Sequence, residues 1–187
     1  MDDMICQIAT LLQRGPTVGR SWAAALFATA ALSVPALSWA DDDANKPPPE
    51  IEWQLPAAPA AADMLPFFQN PITKQWFAID AKSLSVDKDE VVRYTIIGTS
   101  RGGAKNISYE GIRCSTFEKR LYAVGQDDGT WTKARDSEWQ PIPTSGTNRQ
   151  QEDLAQHFVC NGTTIAGTAK QILQNLRYPK VESTGRL

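Results

Sequence analysis

Residues 108–114 read SYEGIRC, a strand-like run in which a glycine follows a glutamate and a cysteine closes the stretch. Successive side chains of a strand point to opposite faces. Strict alternation sets Ile107 and Tyr109 on one face and Ile112 and Cys114 on the other, with Glu110 beside the cysteine. A carboxylate buried there without a partner is costly. A β-bulge at Glu110 and Gly111 removes the conflict, because two residues then share one place in the alternation and Ile107, Tyr109, Ile112 and Cys114 all turn inward. Glu110 and Arg113 then face outward, and glycine tolerates the positive φ that some bulges use. The expectation is a strand that delivers Cys114 to the packed face of a sheet. A bulge can also re-aim a side chain for function, which keeps Glu110 as the sharper alternative.

The rest of the chain suggests what Cys114 pairs with. Arg14 and Arg20, the apolar run SWAAALFATAALSVPAL and the small residues SWA ending at Ala40 have the pattern of an export signal, cleaved between Ala40 and Asp41. The apolar run is marginal for a span, which needs ~20 residues. The acidic DDD that follows argues against a stop-transfer flank, and an uncleaved anchor is the alternative. Of three cysteines, Cys6 falls in the signal, leaving Cys114 and Cys160. An even pair in an exported chain reads as a disulfide. Free thiols or a catalytic thiol compete with that reading, but no CxxC spacing points to a redox motif.

Residues 41–63, beginning DDDANKPPPEIEWQLPAAPAAA, are acidic and then rich in proline and alanine, which favours an extended, semi-rigid linker. A proline-rich partner ligand is the sharper reading, and the sequence does not decide whether Trp53 folds back. The globular part is expected over 64–187. KQWFAID, VVRYTIIGTS, AKNISYEGIRC and KRLYAVG have strand composition, and Asp128-Gly129 suits a hairpin turn. Short links imply antiparallel pairing. From Arg149 to Cys160 the period becomes helical, with Leu154, His157 and Phe158 on one face; a second helix spans Thr163 to Leu176, capped by Thr163 or Thr164. Strands followed by helices indicate α+β: one domain, a curved antiparallel β-sheet packed against C-terminal helices tethered by one disulfide.

NISYEGIRC, together with KRLYAVG, DGTW and HFVC, resembles the cryptic neisserial protein-like family of uncharacterised exported bacterial proteins, from about Trp76 to Leu176. The resemblance implies a periplasmic location and no particular reaction. FAIDAKSLSV, a cysteine-ending strand and a later cysteine-bearing helix are also weakly similar to the surface-adhesin E proteins, which implies a curved sheet with a disulfide-tethered helix and hints at surface binding.

Function classes narrow by subtraction. The formal net charge of −2 lacks the basic footprint of a nucleic-acid binder. The single histidine, His157, removes most metal and triad arrangements, and no HExxH, CxxC or phosphate-cradling loop is present, so no metal, cofactor or catalytic residue is assigned. Trp131 and Trp139, with Glu110 and Arg113, form the candidate binding surface, with an envelope protein, peptide or glycan as partner. Packing is the plainer role for the two tryptophans. The alternative is a hydrolase or carbohydrate-active enzyme in which Glu110 pairs with Glu118 or Asp136, which requires both acids in one concave pocket.

Overall fold

The computed structural model describes residues 46–179, within a unit that covers Asp42–Leu187. The expected signal over 1–40 and its cleavage point at Ala40 and Asp41 lie outside the described residues. Among the described residues, ten strands run in chain order: β1 Met64–Gln69, β2 Trp76–Asp80, β3 Ser85–Val86, β4 Val91–Thr99, β5 Lys105–Arg113, β6 Glu118–Gly125, β7 Trp131–Lys133, β8 Gln140–Pro141, β9 Cys160–Asn161 and β10 Thr164–Ile165. The helices are α1 Gln150–Leu154 and α2 Ala169–Arg177.

The sheet is antiparallel, open and curled, in the order β1-β2-β4-β5-β6-β7. The short β3 pairs with the Val92 and Arg93 end of β4, and β8 with the Glu118 and Lys119 end of β6. β4 is central because its β-branched and aromatic run, VVRYTIIGT, is buried on both faces. On one face, Val92, Tyr94 and Ile96 meet Ile112, Cys114 and the helical residues Leu154, Phe158, Ile172 and Leu176 in the main core. Burying each such side chain is worth about 1.5 to 3 kcal/mol, so this face dominates the stability. The other face holds a second cluster of Tyr109, Tyr122 and Ala123 under Trp53, Leu55 and Trp131.

Cys114 reaches the helix face as expected and is bonded to Cys160, with Cα atoms 5.6 Å apart. The bridge closes a loop of 46 residues and so ties β5 to the end of the helical segment. The route differs from the expectation. β5 alternates strictly, with its pairing to β4 unbroken from Arg113 to Lys105. The bulge lies on the partner strand: Tyr109 pairs with Ala123 and Glu110 with Leu121, leaving Tyr122 unpaired in β6. Because both faces are covered, Ile107 and Tyr109 can be shielded on the side opposite Ile112 and Cys114.

Gly111 has a different role from the one its place in a bulge would give. A Cβ there would lie 2.7 Å from Tyr122 Oη and 2.9 Å from its ring. The bulged tyrosine lies over the glycine, and the space is already full.

The C-terminal helices also depart from the expected bounds. α1 passes at Ala155 into a π turn, Ala155–Val159, closed by the Cys160 N–H donating to the Ala155 carbonyl. The wider turn sets Phe158 and Val159 beneath Leu154 and leaves the His157 side chain 43 % exposed, 3.8 Å from Asp153. His157 therefore leaves the apolar face that a regular helical period gives it. The second helix starts at Ala169 because Cys160–Asn161 and Thr164–Ile165 form a small hairpin instead. Thr168, not Thr163 or Thr164, is its cap, in a reciprocal capping box with Gln171.

Gly111→Ala should destabilise the protein by roughly 1 to 3 kcal/mol through overpacking against Tyr122. Gly102→Ala, where an added Cβ meets nothing within 4 Å, should be near neutral. Urea unfolding of the two variants provides the comparison.

Candidate functional site

A guanidinium in the middle of a sheet requires counter-charge. Arg93, on β4, is 1 % exposed and meets Asp89 at 2.6 Å, Asp87 at 3.1 Å and Glu50 at 3.1 Å. The two aspartates come from the turn just before β4. Glu50 comes from the segment whose composition suggested a free linker. Residues 46–60 of that segment are extended, a short 3-10 turn at Ala61–Asp63 leads into β1, and the extended part lies packed as a strap on the face of the sheet opposite the helices.

Its burial has a period. Residues 47, 50, 53, 56 and 59 are all partly buried, with 48, 51 and 55 beside them, whereas 46, 49, 52, 54, 57, 58 and 60 are exposed. Three residues per turn is the repeat of a polyproline II helix, which the run of prolines at 47–49 favours. The buried positions carry the contacts. Glu50 accepts hydrogen bonds from Tyr122, Arg93, Trp139 at 3.2 Å and Arg120 at 2.6 Å. Trp53 lies against Tyr122, ring centres 4.6 Å apart, and Tyr109 at 6.2 Å, with Lys133 Nζ 5.7 Å from its own ring centre. Trp131 Nε1 donates to the Pro56 carbonyl at 2.9 Å, and the Ile51 N–H donates to Asp89 at 3.0 Å.

Burial raises the Glu50 pKa, but hydrogen bonds from Tyr122 and Arg93 and the charges of Arg120 and Arg93 outweigh it and hold the carboxyl below its ordinary range. Burial likewise raises Asp89, and Arg93 with the Ile51 N–H reverses the sign. The Tyr122 phenol is pushed up by burial and by its bond to Glu50, so it stays a donor. Beside the strap, an open depression of about 360 Å³ is lined by Glu50 to Trp53, Arg120 and Lys133.

The proposed binding residues do not share one surface. Trp131, Trp139 and Arg113 lie on the strap face, with the Arg113 guanidinium 4.1 Å from the Trp139 ring centre. Both indoles are partly buried, and their N–H groups are engaged with strap residues, so they form no open ledge. Arg113 does not face outward but is 8 % exposed. Glu110 does not face outward either: it is 7 % exposed and opens toward the helix side. It accepts from Ser108 Oγ at 2.7 Å, Gln151 Nε2 at 3.1 Å and Tyr94 Oη at 3.3 Å. These neutral donors answer the cost of burial that motivated the expected bulge. A cleft of about 170 Å³ runs from Glu110 past Lys119 and Leu121 to Asp136, Glu138 and Gln140.

Among the described residues no group of three or more His, Cys, Asp or Glu could hold a metal ion. Glu50, Arg93 and Tyr122 were not singled out from sequence. Two signals pointed to them: a lone arginine inside an otherwise apolar strand, and a glutamate three residues before a tryptophan in a proline-rich run.

The model of the CNP1-like family matches residues 43–177. The chain belongs to the CNP1-like family. The match begins ahead of the strap and ends with α2, so the strap is part of what the CNP1-like model describes. No curated protein and no solved structure matches, and the likeness to surface-adhesin E proteins gains no support from them.

The two depressed carboxyls give this CNP1-like protein a signed pH dependence. Their contribution is fully present above their ordinary values of 4.5 and 3.8 and is lost as the pH falls through the lower folded values. Stability measured by urea unfolding should be level above about pH 6 and fall below pH 4.5, and Glu50→Gln should flatten that fall. An unchanged slope in Glu50→Gln would remove Glu50 as a source.

Proposed function

We propose that this CNP1-like protein is an exported, non-enzymatic binding module that works in the periplasm on an envelope protein, peptide or glycan. The bond between Cys114 and Cys160 carries the reading. Such bonds persist in oxidising compartments and are rare where thiols are kept reduced. Closing its loop is worth about 4 kcal/mol in the chain-entropy model, a large part of a small domain's stability, so the fold suits a place where the bond survives. The sequence pattern of an export signal agrees with it. The binding half of the reading rests on how the reactive groups are used. Glu50, Glu110 and Arg93 are tied into internal hydrogen bonds, and the face built from arginines and aromatics is suited to contact. Neither net charge nor any described helix favours nucleic acid or a membrane span as partner.

A second reading rests on the cleft that Glu110 shares with Asp136 and Glu138, the arrangement a carboxylate-pair hydrolase would use. At about 170 Å³ the cleft is smaller than the ~300 to 1,000 Å³ of typical ligand pockets, which favours the non-enzymatic reading.

The test begins with the intact cell. Mature protein in the periplasmic fraction with both thiols blocked to alkylation is the expected result; cytoplasmic protein with free Cys114 and Cys160 would overturn the reading. Cross-linking in the envelope should then recover one partner in constant proportion. Glycan or peptide turnover abolished by Glu110→Gln, with no partner recovered, would transfer the assignment to the hydrolase.

A further inference from the structure

We infer that the strap face is a docking groove for an extended, proline-rich peptide carrying a carboxylate three residues before a large aromatic, and that residues 47–59 occupy it as a resident ligand of the same kind. The inference rests on the reading of the protein as a binding module and names its site and partner class.

The strap engages the sheet as a bound peptide does. Its hydrogen bonds to the domain are few and mostly through side chains, and no ladder of backbone bonds joins it to a strand. Proline-rich segments docking on aromatic-lined grooves are a recurrent recognition mode, because the polyproline II backbone is already ordered before binding. Here the groove reads every third residue: a carboxylate at Glu50, a flat ring at Trp53 and a carbonyl at Pro56.

The walls match that chemistry. Arg93, Arg113 and Arg120 lie on this face, and Glu50 is the carboxylate that bridges the first and last of them. Arg93 Nε and Arg113 Nε are buried donors without a partner among the described residues. Tyr109, Tyr122 and Trp131 supply the ring surface. A partner peptide of the same pattern therefore meets complementary charge and shape, and it competes with a segment held only by its tether and these anchors.

The tether sets how the competition must be measured. A linked segment acts at an effective concentration of about millimolar, which shields the groove from a dilute free peptide. A protease site inserted between Ala57 and Ala58, both exposed, allows the strap of the full chain to be cut after folding and disulfide formation. The probe is a fluorescent peptide with the sequence of residues 46–58. After cutting and dilution, the strap should dissociate, the remaining protein should keep its far-ultraviolet circular dichroism and a cooperative urea transition, and the probe should bind saturably. Binding should be at least tenfold weaker to the uncut chain, and at least tenfold weaker for a probe carrying Glu50→Ala.

Loss of the fold on cutting would overturn the proposal, since the strap would then be part of the core. Failure of the probe to rebind, or equal binding of the Glu50→Ala probe, would overturn it as well. Dimers of the uncut chain that disappear on Glu50→Ala would assign the groove to the strap of a second copy and overturn the partner assignment. An envelope partner that is recovered by cross-linking but not displaced by the probe would leave the binding module standing and remove this groove from it.

Discussion

The buried guanidinium of Arg93 constrains one whole face of the molecule. A charge taken out of water in mid-sheet is tolerated only with close, well-placed counter-charges. Two of these, Asp87 and Asp89, come from the turn before β4, and the third comes from outside the sheet. Glu50 supplies it and brings the strap with it. Once Glu50 is fixed, Trp53 falls over Tyr122, and Tyr122 lies over a position where only glycine fits. Pairing a charge and packing an aromatic cluster are thus one requirement on this face.

The opposite face obeys a different constraint. There the main core is apolar, and Glu110, buried beside it, is satisfied by neutral donors from β4, β5 and α1. The π turn after α1 places Phe158 and Val159 on the core and lets Cys160 begin the small hairpin that receives Cys114. A regular helix through these residues would have turned His157 toward the sheet. The disulfide and the π turn therefore act together to set the helical segment down in one register.

Much of the architecture was legible in the sequence because it depends on local chemistry. β-Branched runs named the long strands, Asp128-Gly129 named a turn, and the pair Cys114 and Cys160 named the bridge. What was not legible depended on partners distant in sequence. The bulge was inferred on β5 because Glu110 looked too costly to bury, but its donors include Tyr94 and Gln151, which alternation within one strand cannot reveal. The unpaired residue belongs to β6, where Tyr122 gains the strap as its counterpart. Proline-rich composition points to an extended chain, yet composition cannot say whether an extended chain is solvated or docked. Among the candidate binding residues, the tryptophans were placed on the same face as Arg113, whereas Glu110 was separated from them by the thickness of the sheet.

The strap also imposes an order on assembly. Glu50 lies 43 residues before Arg93, 70 before Arg120, 72 before Tyr122 and 89 before Trp139. A chain that emerges from its N-terminus presents this acidic, aromatic segment before the sheet that receives it, and the seat for it is complete only when Trp139 has appeared. Contacts so distant in sequence form late, because the intervening loop must close before they give anything in return. Until then the segment that will later cover the groove is itself uncovered and open to whatever meets the nascent protein.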